Sequence, residues 1–86
     1  MTHAATVEDL GKAIRAARRE AGLTQAQVAE AAKVSRAFVI TLEAGTGPRA
    51  EVGRVLAVVR ALGLTISLER AAGPSYTETL ELLLGS

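Results

Sequence analysis

The joint at residues 33–35 (Lys-Val-Ser) constrains the fold of this chain more than any other feature of its sequence. It connects two short stretches of helical pattern, one opened by Thr24 and running to Ala32, the other beginning after Ser35 and ending near Ala44. Helices this short are not stable in water on their own, so the two must pack together. The first is rich in alanine, which allows a close crossing. The joint therefore predicts a helical pair held at a fixed angle.

Two further helical patterns flank this pair. Upstream, apolar residues recur every three or four positions from Val7 to Ala21, with Thr6 as a candidate N-cap and Gly22 as a candidate stop. Downstream, a fourth helix is predicted over residues 50–62, ended by Gly63. The apolar face of this fourth helix is predicted to consist of Val52, Val55, Leu56, Val59 and Leu62. The sequence thus predicts a mainly α fold with four helices in one domain, residues 6–70.

A change of period follows the fourth helix. Residues 64–69 alternate apolar and polar side chains, which is typical of a half-buried strand. A single strand cannot stand alone, and the chain offers no second candidate, so we expect this strand to pair with its own copy across a homodimer. The predicted dimerisation residues are Thr65, Ile66, Ser67 and Leu68.

The two ends of the chain have different predicted roles. Residues 1–5 are expected to be a flexible N-terminus, whereas residues 71–86 form an acidic, leucine-rich tail after a linker at residues 71–74. Ser75 and Glu78 have the spacing of a capping box that would open a short helix. One face of that helix would carry the candidate partner-binding residues Tyr76, Leu80 and Leu83. Folding on a partner and fraying at a free terminus are equally consistent with this sequence.

Composition excludes several classes of function. The chain has no cysteine and a single histidine, His3, and residues 45–48 (Gly-Thr-Gly-Pro) lack the lysine of a phosphate-binding loop, so we expect neither an enzyme nor a cofactor or metal. Basic residues outnumber acidic ones up to Arg36. Aromatic residues make up only 2% of the chain, which favours duplex over single-stranded nucleic acid. No apolar run predicts secretion or a membrane span, so a cytoplasmic protein, associated with the nucleoid, is expected.

The stretch from Gly22 to Gly45 resembles the helix-turn-helix of the phage-repressor-like, or Xre/Cro-type, regulators. It has a glutamine at the start of the second helix and a small residue within that helix, followed by an apolar-serine joint and a Leu-Glu-x-Gly ending. These features correspond to Gln25, Ala29, Val34-Ser35 and Leu42-Glu43-Ala44-Gly45. A physical reason supports each: Ala29 permits close crossing, while Val34, Val39 and Leu42 fill the angle between the helices.

The resemblance implies a partner, double-stranded operator DNA, with the third helix docked in its major groove. Ser35 would cap that helix so that its N-terminus faces DNA, and Gln25 would brace a phosphate, with a solvated surface glutamine as the alternative. Arg36 fits a guanine edge, with a phosphate contact as the alternative. Ala37 and Ile40 lie on the same side of the helix as Arg36, and their apolar side chains suit contact with thymine methyl groups. The candidate DNA-binding residues are Gln25, Ser35, Arg36, Ala37, Ile40 and Thr41.

Other positions in this region are assigned structural roles. The resemblance implies a buried ion pair between Arg18 and Glu43 that joins the first helix to the third. Lys33 stands where the family usually has glycine, and a left-handed backbone there would cost about 1 kcal/mol. Phe38 is expected to be a core or half-core residue, with partner binding as the alternative. The basic residues Lys12, Arg15 and Arg19 are treated as secondary, since a basic helical face is often simply solvated.

The order of elements after the third helix is similar to that of the HipB-like antitoxins, over residues 6–69. That likeness implies a homodimeric repressor of its own operon that also binds a HipA-like serine/threonine kinase toxin. Two alternatives remain open: a stand-alone Xre-type transcriptional regulator, and a helical protein-interaction module that binds no DNA.

Overall fold

The computed structural model describes residue 4 and residues 6–46, 50–70 and 76–84, with the side chains of residues 76–79 excepted. Five helices occur in this part of the chain. They are α1 (Val7–Glu20), α2 (Gln25–Ala32), α3 (Arg36–Ala44), α4 (Val52–Ala61) and α5 (Tyr76–Leu84). The first four correspond to the predicted helices, so the mainly α architecture is confirmed.

Side-chain caps set the beginnings of the first three helices. The hydroxyl oxygens of Thr6, Thr24 and Ser35 each accept a hydrogen bond from the backbone N–H three residues ahead, at 3.0–3.1 Å. Gln27 completes a capping box, because its Oε1 accepts from the N–H of Thr24 at 2.8 Å. These caps satisfy amide donors that a helix N-terminus otherwise leaves without a partner. All three predicted N-caps are confirmed.

The hydrophobic core lies where α2 packs against α3 on one side and α4 on the other, while α1 packs against α3. Ile14, Val28, Val39 and Val58 are its largest fully buried side chains. The remaining core residues are Ala29, Leu42, Val55 and Val59. Phe38 is partly buried and packs against this cluster, which confirms its predicted half-core position.

The buried face of α4 differs from the predicted one. Val55 and Val59 are buried as expected, but Val58 takes the third core position, whereas Val52 is 70% and Leu56 39% exposed. Among the described residues α4 packs chiefly against α2, so one side of its broad apolar arc is left largely uncovered. Val52 and Leu56 therefore form an exposed apolar edge.

The predicted strand is absent from the single chain. Residues 64–70 adopt neither helix nor strand, and all of them are exposed, including Leu68 at 98%. A strand exists only as part of a hydrogen-bonded ladder, and no other described segment forms one beside it. Thr65, Ile66, Ser67 and Leu68 thus lie on an irregular, solvent-facing segment.

The tail contains the helix predicted after residue 75, namely α5. Leu80 is half-buried, whereas Leu82, Leu83 and Leu84 are exposed. Several predicted features lie outside the described residues. They are the linker at residues 71–74, the Ser75 cap, the side chain of Tyr76, the Gly47-Pro48 break and most of residues 1–5. None of the described helices is both long and apolar enough to cross a lipid bilayer.

Candidate nucleic-acid interface

The joint between α2 and α3 is a tight left-handed turn. Lys33 has φ 58° and ψ 43°, the left-handed conformation expected at this position. The N–H groups of Lys33 and Val34 donate to the carbonyl oxygens of Glu30 and Ala29 at 3.2 and 3.0 Å, which satisfies the end of α2. Ser35 then caps α3 immediately. The turn fixes the direction of α3 relative to α2.

The outer side of α3 is solvent-exposed from its first residue. Arg36 and Ile40 lie one turn apart, as do Ala37 and Thr41, and all four are exposed. The opposite side of the same helix carries the buried Val39. Ile40 is a large apolar side chain that is 41% exposed. The predicted base-facing residues are therefore brought together on one accessible helix face.

A bidentate ion pair fastens α1 to α3. Arg18 donates from Nε to Glu43 Oε2 at 2.6 Å and from Nη2 to Oε1 at 2.9 Å. Its Nη1 donates to the carbonyl oxygen of Leu23 at 3.0 Å, in the turn before α2. The two side chains are 12% and 4% exposed. This is the buried pair that the resemblance implied, and it fixes three parts of the domain with one guanidinium group.

Gln25 is tied to the same pair. Its Nε2 donates to Glu43 Oε1 at 3.3 Å, so part of its side-chain amide is engaged within the protein. An amide nitrogen carries two hydrogens, and the second one remains available for a phosphate oxygen. Glu43 thus orients the first residue of α2, a connection between positions 18 residues apart that sequence reasoning missed.

The Arg18–Glu43 ion pair also favours the ionised form of Glu43. Burial raises the pKa of Glu43, but hydrogen bonds from Arg18 and Gln25 and the charges of Arg18 and Arg15 lower it by more, so this pKa lies below its ordinary value. The hydrogen bond to Glu43 raises the pKa of Arg18. Because the folded pKa of Glu43 is depressed, its stabilising contribution is complete above the unfolded pKa and is lost as the pH falls through the folded one.

An open groove joins these parts into one surface. It has a volume of about 860 Å³ and lies between the C-terminal half of α1, the start of α2 and the exposed side of α3. We call it the arginine groove, and it is lined by Arg15, Arg18, Arg19, Leu23, Thr24, Gln25, Ala26, Arg36, Ile40, Glu43 and Ala44. Of the predicted DNA-binding residues, Gln25, Arg36 and Ile40 meet here. Ser35, Ala37 and Thr41 are exposed on or before α3 but are not part of the lining. Nor are the predicted dimerisation residues, or Leu80 and Leu83 of the predicted partner-binding set.

Close approach of α1 to α3 depends on Gly11, which the sequence analysis did not single out. Gly11 is buried, and a Cβ placed on it would overlap the carbonyl oxygen of Leu42 and come within 2.9 Å of that of Glu43. Only glycine fits at this crossing. A glycine within an otherwise regular amphipathic pattern was the signal that could have indicated it.

Comparison with known proteins agrees with this geometry. Residues 9–72 match the family model described as a helix-turn-helix domain. A protein of Sinorhizobium fredii named as an uncharacterized HTH-type transcriptional regulator, y4mF, is 40% identical over 63 residues, which cover 73% of this chain and 82% of the relative. The family match spans the arginine groove and the outer side of α3, and it ends before α5.

Proposed function

The chain belongs to the helix-turn-helix domain family, and from its exposed recognition surface we propose that it is a transcriptional repressor that reads duplex DNA with α3. The observation that carries the proposal is the outer side of α3, where Arg36, Ala37, Ile40 and Thr41 are exposed while the opposite side of the helix is buried against the core. DNA-binding transcriptional regulation is what the family and the named relative support. Repression, by occluding the promoter, is the step that we add, and it would take place in the cytoplasm at the nucleoid.

Each residue of this surface suits a particular contact. The guanidinium group of Arg36 matches the O6 and N7 acceptors of guanine, and Ile40 and Ala37 suit thymine methyl groups. Thr41 offers a hydroxyl to a base or a phosphate. Gln25 and the capped N-terminus of α3 at Ser35 would contact the DNA backbone, which positions the protein on the duplex but does not read its sequence.

Selection of bound sequences from a random duplex library tests this function. A dimeric helix-turn-helix protein is expected to enrich a palindromic site. At physiological salt it should bind that site far more tightly than unselected duplex. Transcription from a promoter that overlaps the selected site should then fall when the protein is added. A library that shows no enrichment after repeated rounds would overturn the proposal.

A homodimer is the second part of the proposal. Each chain carries one recognition helix, and two are needed to span successive half-sites. The C-terminal part of the domain exposes apolar side chains that a second copy could cover: Val52, Leu56, Leu64, Ile66 and Leu68. Residues 64–69 keep the alternation of a strand, so pairing of Thr65, Ile66, Ser67 and Leu68 with their own copies would supply the missing ladder.

Proline substitution separates backbone pairing from simple apolar contact. Ile66→Pro removes a ladder donor, whereas the matched control Ile66→Val keeps both the donor and a β-branched side chain. Sedimentation equilibrium should show a dimer for the parent chain and for Ile66→Val, and a monomer for Ile66→Pro. A proline variant that remains dimeric would rule out strand pairing.

An antitoxin role is favoured by the tail. The family match ends at residue 72, and α5 beyond it exposes Leu82, Leu83 and Leu84 next to acidic residues. An amphipathic helix of nine residues gains stability by docking on a partner, and a HipA-like kinase toxin is the partner we propose. Without such a partner the protein would be a stand-alone regulator.

The product of the neighbouring gene decides between these roles. If that gene encodes a kinase, co-expression should yield a complex with the full chain and none with a chain that stops at residue 70. Leu83→Ala should weaken the complex more than Glu81→Gln, because Leu83 lies on the predicted partner-binding face and is exposed. A neighbour that is not a kinase, or a kinase that binds the shortened chain equally well, would contradict the tail's role.

A further inference from the structure

Two arginines on the C-terminal half of α1 are accessible to a ligand. Arg15 and Arg19 lie one helical turn apart, and both are exposed. Within the described part of the chain, the ion pairs are Glu8–Lys12, Arg18–Glu43 and Glu51–Arg54, so neither of these two guanidinium groups forms a close ion pair with a described carboxylate.

Both side chains face the same groove as the recognition helix. The arginine groove has four arginines and one glutamate in its lining, a formal excess of three positive charges in a chain whose net charge is only +1. Arg18 is bonded to Glu43, so the excess lies on Arg15, Arg19 and Arg36. The lining that carries Arg36 and Ile40 is therefore net positive.

A phosphodiester backbone is the ligand that suits this arrangement. Duplex DNA carries about one negative charge per 1.7 Å of helix axis, and guanidinium groups bind phosphate oxygens with two parallel hydrogen bonds. A duplex whose base edges meet Arg36 and Ile40 must pass its backbone along the walls of the major groove. Arg15 and Arg19 of α1 line the same groove as Arg36 and Ile40, so a backbone that follows this route would pass close to both guanidinium groups.

We propose that Arg15 and Arg19 contact consecutive or near-consecutive phosphates flanking the bases that α3 reads, so that α1 forms part of the DNA interface. This inference rests on the proposed function. It assigns to α1 a sequence-independent share of the affinity, whereas α3 supplies the sequence preference.

The salt dependence of binding tests this assignment. Affinities of the parent chain, Arg15→Gln, Arg19→Gln and the double variant are measured by fluorescence anisotropy from low to physiological salt, on the selected site and on unselected duplex. Each substitution should reduce the slope of log K against log salt by about 0.9 per protomer, and should weaken binding to both duplexes by the same factor. Arg60→Gln, an exposed arginine on α4 outside the groove, is the matched control and should leave the slope unchanged.

The results of the salt titrations distinguish a failure of the α1 contacts from a failure of the proposed function. Sequence-specific binding with a slope that Arg15→Gln and Arg19→Gln do not change would overturn the α1 contacts alone. A steep slope that depends on both arginines, without any sequence preference, would support the α1 contacts and overturn specific regulation. Absence of salt-dependent binding by the parent chain would overturn both.

A nuclear magnetic resonance titration distinguishes the backbone from a free anion. The side-chain Nε–H signals of Arg15 and Arg19 should shift on adding duplex DNA and should stay in place with millimolar sodium phosphate at equal ionic strength. Saturable shifts with phosphate and none with duplex would instead assign the groove to a small anionic ligand and overturn the proposal.

Discussion

Two regions of this molecule differ in how far contacts within one chain bury their apolar side chains and pair their polar groups. In the helix-turn-helix region, residues 6–46, every helix start is capped, the joint is hydrogen-bonded and a buried ion pair connects three segments. In the C-terminal region, residues 64–84, the described residues form one short helix, and most of their apolar side chains are exposed. The contacts of the first region are made within it, whereas the second leaves most of its described apolar side chains exposed to solvent.

Removing one partner of the buried pair should have the largest effect on stability. Arg18→Ala leaves the Glu43 carboxylate buried without its counter-charge, which should lower the free energy of unfolding by about 3–5 kcal/mol. Arg54→Ala, which breaks the exposed pair with Glu51, should cost less than about 1 kcal/mol. Urea unfolding followed by circular dichroism measures both. A small loss in Arg18→Ala would show that the two regions are less different than we describe.

The contrast between two glycines sharpens the same comparison. Gly11→Ala forces α1 away from the backbone of Leu42 and Glu43 and should destabilise the domain by about 1–3 kcal/mol. Gly53→Ala places a methyl group in open space on α4 and should stabilise it by about 0.4–1 kcal/mol. Thermal unfolding should therefore move in opposite directions for the two variants. Equal shifts would disprove the close α1–α3 contact.

Lys33 offers a smaller test within the joint. Lys33→Gly relieves a left-handed backbone that costs a residue with a side chain about 1 kcal/mol, although the added freedom of glycine in the unfolded chain offsets part of that gain. We expect a modest rise in the melting temperature. A fall would mean that the lysine side chain stabilises the turn by contacts that outweigh its backbone strain.

The smallest effect is expected from deleting residues 71–86. No described helix packs extensively against α5, so the free energy of unfolding should change by less than about 0.5 kcal/mol. The measurement is made well above any dimer dissociation constant, so that dimerisation is held constant. A marked loss of stability would place the tail in the folded core and remove the basis for a separate partner-binding segment.

Local signals predicted the helix-turn-helix region well. Thr6, Thr24 and Ser35 could be assigned as caps because capping depends on residues three positions apart. The left-handed Lys33 and the Arg18–Glu43 pair followed from the family pattern. What could not be predicted depends on distant contacts: the bond from Gln25 to Glu43, the crowding at Gly11, and the place of Arg15 and Arg19 beside α3.

The C-terminal region shows where sequence patterns stop being sufficient. Alternation over residues 64–69 predicts a strand only if a second strand is present, and the described residues of one chain supply none. Periodicity also predicted too wide a buried face for α4, because the pattern does not reveal how many neighbours the helix has. Val52 and Leu56 remain exposed for that reason. The dimer and the kinase partner stay predictions.

The affinity of Arg36→Ala for DNA tests the central claim most directly. Binding to the selected site and to single-base variants of it is compared with that of the parent chain at one salt concentration. We predict a loss of about 1–3 kcal/mol on the selected site and a relaxed preference at one base position, with unfolding unchanged because Arg36 is exposed. An affinity for the selected site that does not change on substitution would contradict the account that α3 reads DNA through this residue.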